Sequence, residues 1–339
     1  MVEPSAQDPS ISIIVPVKNA ARTVRDLLDS LLKLDYDRER LEIIVVDGKS
    51  TDGTKEIVGE CPVTLIEEEG RGLNAARNTG VRRSKGEIIA FTDGDCVVPP
   101  DWARSIAKNF RDPSVSFVGG FVEGYNKDDF LSTYMDETFF QAKPGFRSRS
   151  EATDLTLLQF PAGCNMAFRR HALEKINFFD ERIYYGFDDL DPVERLGNKG
   201  FRIVLDPDVL VWHQHRTTLR GMLRQHFNYG RGGALLIIYK RTSRLAHWFT
   251  TYLVSTTLAI SLVVMMVATG LILKHLLPLQ LISLLALAAF TLLMVFYIKT
   301  AVRTRSLWKL FLYPILDFAR GFVFTFGGII QFFRAIIGG

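Results

Sequence analysis

An α/β domain on a mostly parallel sheet, followed by C-terminal transmembrane helices, is the fold class this chain predicts, and three observations predict it. Over the first hundred residues, short apolar runs closed by turn residues alternate with helical patterns. That is the spacing of βαβ units and hence of a parallel sheet. In the last hundred residues, Trp248 to Leu273 and Leu276 to Ile298 carry no charge, and each exceeds the roughly 20 apolar residues that cross a bilayer. Charge divides along the same line. Residues 240–339 hold ten Lys or Arg and one acid, Asp317, whereas residues 1–239 hold 31 basic and 36 acidic side chains. Such asymmetry points to a membrane or a nucleic acid, and the uncharged stretches select the membrane.

In order along the chain, Ile11 to Val17 reads as a buried strand, and Ala21 to Leu34 has helical periodicity. Glu42 to Val46 reads as the next strand, ending in Asp47, and Thr54 to Val58 as a helix. A strand around Val63 to Ile66, a helix over Leu73 to Ser84 and a fourth strand over Glu87 to Phe91 follow. No internal repeat or low-complexity segment is present. Cys61, Cys96 and Cys164 are odd in number and lack ligand spacing, as reduced thiols of a cytosolic domain would.

The acids sit where these strands end. Asp93-Gly94-Asp95 directly follows the fourth strand; such a triplet serves either as a solvated turn or as a carboxylate site for Mg2+ or Mn2+ at the carboxyl end of a sheet. Asp47 opens the turn Asp47-Gly48-Lys49-Ser50-Thr51-Asp52-Gly53-Thr54, and its carboxylate either caps the helix or accepts hydrogen bonds from a nucleotide base or ribose. Arg71 and Arg77, close to Gly70, Gly72 and Gly80, are either solvated or bridge phosphate oxygens.

Together these segments resemble the inverting family 2 glycosyltransferases with a GT-A fold, from about Ser12 to Arg231. The resemblance rests on Ile13-Ile14-Val15-Pro16-Val17-Lys18-Asn19, on the turn that begins at Asp47, on Gly72-Leu73-Asn74-Ala75-Ala76-Arg77-Asn78-Thr79-Gly80 and on Phe91-Thr92-Asp93-Gly94-Asp95. It implies that Pro16, Asn19, Asp47, Ser50, Arg71, Arg77 and Asp93 face a nucleotide-sugar donor, with Asp47 at the base and Asp93 at the ribose. Asp95 would bind the divalent metal, Mg2+ or Mn2+, that bridges the diphosphate.

The resemblance continues through Pro161-Ala162-Gly163-Cys164-Asn165-Met166-Ala167-Phe168, which is similar to the acceptor-side strand and places Gly163 and Asn165 there. Asp188-Asp189 stands where the family has Glu-Asp, whose Asp is the general base. The change of Glu to Asp leaves the choice open, with Asp189 preferred over Asp188. By its residues alone the same stretch suits a helix start rich in acids. His213 and His215 follow the apolar run Val209 to Trp212; one of them, His213 ahead of His215, is implied to complete the metal shell.

These readings give a cytosolic catalytic domain over residues 1–239, ending in an interfacial helix over 217–229, and a membrane region over 240–339. Its spans fall at about 248–273 and 276–298. A third apolar segment, 307–333, is interrupted by Pro314, Asp317 and Arg320 and is left as spanning, re-entrant or interfacial. Lys240, Arg241 and Arg244 precede the first span, and Lys299, Arg303, Arg305 and Lys309 follow the second, whereas the intervening turn offers Lys274 and His275. The positive-inside rule then keeps both flanks cytosolic, in a multi-pass protein of the cell membrane.

The activity this implies is transfer of a sugar, with inversion, from a nucleotide sugar to a hydroxyl or phosphate of a lipid-linked or glycan acceptor. The alternatives are a processive polysaccharide synthase and a non-catalytic sugar-nucleotide-binding membrane protein. Processive synthases carry Gln-x-x-Arg-Trp near the membrane, where this chain has Gln225-His226-Phe227-Asn228-Tyr229. A non-catalytic protein has no need of all four of Asp47, Asp93, Asp95 and Asp189.

Overall fold

The computed structural model describes residues 8–138, 146–152, 161–273 and 276–337. Contacts divide the chain into Met1–Asp136 with Gln141–Arg216, and Thr217–Gly339 with Glu137–Phe140.

The first unit opens with β1 (Ile11–Val17), α1 (Val24–Leu31), β2 (Leu41–Asp47), α2 (Thr54–Gly59), β3 (Thr64–Glu67), α3 (Leu73–Arg83) and β4 (Ile88–Phe91). Every expected strand and helix of this half is present, with ends shifted by a few residues. Next come β5 (Cys96–Val97), α4 (Trp102–Phe110), β6 (Val115–Gly124), α5 (Phe130–Glu137), β7 (Ser150–Ala152), β8 (Met166–Arg169), α6 (Arg170–Lys175), α7 (Leu190–Asn198) and β9 (Arg202–His213).

One sheet runs β3-β2-β1-β4-β8-β6-β9-β5, with β7 pairing to β9. Its first four strands are parallel. β8 then enters antiparallel between β4 and β6, and β6 and β9 pair parallel. Alternation of side chains across the pleat sends Ile11, Ile13, Val15 and Val17 of β1 toward a layer with α1 and α4. Ile14 and, from β4, Phe91 go to the opposite layer beside Val81, Leu173 and Val193. Burial on both faces is why β1 reads as an unbroken apolar run.

The parallel order aligns the carboxyl ends of β2, β1 and β4, so Asp47, the turn after Val17 and Asp93-Gly94-Asp95 lie along one edge. β5 pairs antiparallel with the end of β9, Cys96 opposite His213. That ladder carries the second half of the domain to the same edge.

The second unit contains α8 (Leu219–Tyr239), α9 (Arg244–Leu273), α10 (Leu277–Thr304) and α11 (Lys309–Ile337). By length and composition, α9, α10 and α11 are each able to cross a membrane. The turn residues Lys274 and His275 lie outside the described residues. The helix expected over 217–229 continues to Tyr239 and groups with the helices after it, a correction to the domain boundary read after residue 239.

Glycine explains the difference. Gly230, Gly232 and Gly233 lower helix propensity, but in the fold the backbones of α8 and α11 approach closely at Gly230. A Cβ on Gly230 would lie 1.8 Å from the Phe324 carbonyl oxygen, and one on Gly327 would lie 2.1 Å from that of Phe227. The polar residues that interrupt the third segment face inward for the same reason. Asp317 accepts from Thr138 Oγ1 at 2.7 Å and from the Tyr297 hydroxyl, and Arg320 Nε donates to His226 Nε2 at 2.8 Å. Phe311, Phe318, Phe322 and Phe326 are exposed, so α11 is one continuous helix with a polar seam and an aromatic outer face.

Candidate active site

The turn after β1 and the turn after β2 hold each other. Asn19 takes a left-handed conformation, φ 52°; its N–H donates to Ser50 Oγ at 2.9 Å and its Oδ1 accepts from Thr51 N at 2.9 Å. Asp47 Oδ2 accepts from Ser50 N at 2.9 Å, whereas Oδ1 is buried without a partner among the described residues. A buried carboxylate oxygen left unpaired is costly, and here it offers an acceptor to an incoming N–H or O–H. Asp93 Oδ1 is in the same condition. Pro16 is buried within β1, and Arg71 is exposed in the loop before α3.

Asp95 is fixed by its neighbours. Gln214 N donates to the Asp95 carbonyl oxygen at 2.7 Å, His213 Nε2 stands 3.4 Å from Asp95 Oδ1, and an Arg216 guanidinium nitrogen lies 3.5 Å from Oδ2. Burial pushes the Asp95 carboxyl up, but His213 and then Arg216 more than offset it and hold it at about 2. Burial opposes charge on His213, yet the facing Asp95 raises it to about 9. The Asp93 carboxyl is pushed up to about 6 by burial, against the pull of Arg77 and with the charge of Asp95 adding to the rise.

Ligand atoms of Asp95, Cys96 and His213 converge within 4.8 Å of one another. Burial and the adjoining Cys164 push the Cys96 thiol well above its ordinary value, and its soft sulfur is the donor of the three that suits Mg2+ or Mn2+ least. The carboxylate and imidazole that remain suit a hard or borderline divalent cation such as Mn2+.

The pair Asp188-Asp189 resolves into two environments. Arg77 is 1% exposed and donates to Asp188 Oδ2, with its Nη2 3.5 Å from the Gly163 carbonyl oxygen. Arg77 thus forms an internal ion pair, where the resemblance implies a side chain facing the donor. Asp189 Oδ2 accepts from Gly163 N at 2.8 Å. Asp189 sits at the N-cap position of α7, yet its side chain makes no capping bond. Burial, then the charge of Asp188, pushes its carboxyl up to about 7 against the opposing Arg77.

A Cβ on Gly163 would come within 2.6 Å of Arg77 Nη2 and push the guanidinium aside. Asn165, expected on the acceptor side, is fully buried. Its Oδ1 accepts from Trp102 Nε1 at 3.0 Å and its amide donates to the carbonyls of Phe121 and Val209 at 2.8 Å. It supports the strand, and both of its amide hydrogens are used in doing so. Sequence reasoning did not find the Arg77–Asp188 pair, the Asn165 bridge or Arg216, because each joins residues far apart in the chain.

A two-faced α/β sheet with acids along the carboxyl ends of its strands defines a nucleotide-diphosphosugar transferase domain of the GT-A type. Residues 12–177 match the family model described as glycosyl transferase family 2. The chain is 30% identical over 253 residues to the glycosyltransferase AglE of Haloferax volcanii, covering 71% of this chain and 80% of that one. It is 30% identical over 246 residues to the pre-mycofactocin glycosyltransferase of Mycobacterium tuberculosis, covering 69% of this chain and 48% of the longer relative. Among solved structures, the mannosyltransferase PcManGT of Pyrobaculum calidifontis, in complex with GDP-Man and Mn2+, superposes with a TM-score of 0.57 at 24% identity, covering 93% of this chain and 87% of that one. The chain therefore belongs to glycosyl transferase family 2. It is a glycosyltransferase using a nucleotide-sugar donor.

Proposed function

We propose that the protein is a membrane-bound, metal-dependent, inverting transferase acting at the cytosolic face on a lipid-linked acceptor. The observation that carries the catalytic part is the asymmetry of the acid pair. Asp188 is charge-matched by buried Arg77, while Asp189 is held at about 7, the range in which a carboxylate serves as a general base near neutral pH.

Asp47 Oδ1 accepts from the donor's base and Asp93 from its ribose. Asp189 removes the proton of an acceptor hydroxyl as the oxygen attacks the anomeric carbon. The new carbon–oxygen bond forms on the face opposite the diphosphate, and the bond to the diphosphate breaks, inverting the centre. Asp95 and His213 would hold the divalent cation, which supplies charge neutralisation at the departing nucleoside diphosphate. An acceptor that is already an ionised lipid phosphate needs no base, and Asp189 then orients it.

Three helices able to span a bilayer, with their basic flanks, support the membrane placement and the choice of a lipid-linked acceptor. The poly-beta-1,6-N-acetyl-D-glucosamine synthase of Staphylococcus aureus is 24% identical over 229 residues. In this chain, however, the stretch from Gln225 to Tyr229 lacks the Arg and Trp of Gln-x-x-Arg-Trp, and that favours the non-processive reading.

The test is release of nucleoside diphosphate in detergent, using a panel of sugar nucleotides with a membrane lipid extract and products identified by mass. Asp95→Ala should abolish transfer with the fold retained, because a ligand is removed without loss of core volume. Full activity of that variant, or of wild type in excess chelator, refutes the metal dependence.

A further inference from the structure

Beyond Asp95 and His213, polar contacts continue outward in a line. His213 Nδ1 lies 3.1 Å from His215 Nδ1, and His215 Nε2 lies 3.1 Å from Asp136 Oδ1. Gly124 N donates to Asp136 Oδ2 at 3.2 Å. The backbone supports the line: Gly124 pairs with His213 in the β6–β9 ladder, and Tyr125 N donates to the His213 carbonyl oxygen at 2.9 Å. His215 and Asp136 are both largely shielded from solvent. Neither has a part in the reaction derived above.

The line has a direction because a carboxylate only accepts. Asp136 therefore takes the Nε2–H of His215, which leaves Nδ1 of a neutral His215 as a lone pair. That lone pair takes the Nδ1–H of His213 and keeps Nδ1 protonated, so that Nε2, which shares its proton with Asp95, is the nitrogen left to give up that proton to a cation. Metal-bound histidines are commonly oriented in this way, through a hydrogen bond from the other ring nitrogen.

We propose that His215 and Asp136 are positioning residues that hold His213 as its Nδ1–H tautomer, so that Nε2 and the Asp95 carboxylate together form the divalent-cation site. This rests on the reading of Asp95 and His213 as ligands. It assigns His215 a role one step outside the metal, and it gives Asp136, 79 residues distant in sequence, a place in the site. Gly124 belongs to the same device: a Cβ there would come within 2.2 Å of Asp136 Oδ2 and displace it.

The experiment titrates Mn2+ alone into the full-length protein in detergent, by calorimetry, for wild type, Asp136→Asn, His215→Phe and Gly124→Ala. Loss of an outer-shell partner of this kind weakens metal affinity by about 10–100-fold. That loss is expected for Asp136→Asn and His215→Phe and, through displacement, for Gly124→Ala, with Asp136→Glu recovering part of it. Nitrogen-15 spectra of the six histidines with Mg2+ bound should show His213 protonated at Nδ1 and His215 at Nε2 in wild type. Asp136→Asn, whose amide is able to donate to His215 Nε2, should shift this pattern.

A merely structural role would lower the melting temperature without moving tautomers. Unchanged Mn2+ affinity in folded Asp136→Asn and His215→Phe, or a wild-type His213 protonated at Nε2 alone, overturns the proposal while leaving the Asp95 site standing. A wild type that binds no Mn2+ overturns both.

Discussion

Replacing Asp189 by Asn should make the protein less active and, above neutral pH, more stable. The Asp189 carboxyl is displaced from 3.8 to about 7 by burial and by the charge of Asp188. The folded state therefore binds a proton that the unfolded state has released, throughout the window from about pH 4 to about pH 7. The corresponding stability is fully present below about pH 4 and is lost as pH rises through 7. Three units at about 1.4 kcal/mol each set a ceiling near ~4 kcal/mol for the penalty above pH 7. Asn carries no charge, keeps an oxygen to accept from Gly163 N, and escapes the penalty.

Thermal unfolding in detergent at pH 4.5, 6 and 8.5 should then show Asp189→Asn gaining on wild type as pH rises, by roughly 2–4 °C for each kcal/mol realised. Turnover with a hydroxyl acceptor should fall by about 10²–10⁴-fold. The wild-type rate should decline below pH 7 as the base is protonated, and the residual rate of the variant should lack that limb. An Asn variant equally destabilised at all three pH values would mean that Asp189 is not strained. One that keeps full turnover with a hydroxyl acceptor would mean that it is not the base.

Asp47→Ala should weaken nucleotide-sugar binding measured by calorimetry, whereas Asp189→Asn should leave it nearly unchanged; equal losses would reverse the two roles. Arg77→Met leaves Asp188 buried without its cation and should cost about 3–5 kcal/mol in denaturation experiments, with part of the loss recovered by adding Asp188→Asn. Gly230→Ala drives a methyl into the Phe324 carbonyl and should destabilise by about 1–3 kcal/mol, read as a lowered melting temperature in detergent. Moving Lys or Arg into hydrocarbon costs roughly 2.5–3.5 kcal/mol. In a background lacking Cys61, Cys96 and Cys164, His275→Cys should therefore react with an impermeant thiol reagent outside intact cells and Thr304→Cys only after lysis; the opposite pattern refutes the cytosolic placement.

The sequence made the first four strands legible because each signal is local. A strand buried on both faces is a continuous apolar run, and the turn that ends it carries Asp, Gly or Asn for backbone reasons contained in a few residues. The acids at those turns were legible with them. β8 was found as a strand, but its antiparallel entry between β4 and β6 depends on partners that no periodicity records. The division of labour between Asp188 and Asp189 was hidden similarly: adjacent identical side chains differ only because Arg77, 111 residues earlier, reaches one of them. Asn165 is placed on the acceptor side by the resemblance alone, and its bonds to Trp102, Phe121 and Val209 join segments that no local pattern brings together. The helix expected over 217–229 runs on to Tyr239, because Gly230 lets α8 approach a helix about a hundred residues later, a partner that no local pattern records.

The glycine seam between α8 and α11 has a consequence for how the second unit is assembled. The partners across it, Phe227 with Gly327 and Gly230 with Phe324, are separated by roughly a hundred residues, so α8 leaves the ribosome with its contact face uncovered until the last helix is made. α9 and α10 are in effect a hairpin inserted between two halves of one interface. Their outward residues are largely exposed apolar side chains, and these can drift in length and composition to suit a thicker or thinner bilayer. The seam cannot drift in the same way: Gly230 and Gly327 are each constrained by a main-chain oxygen opposite, which no change of side chain elsewhere is able to move.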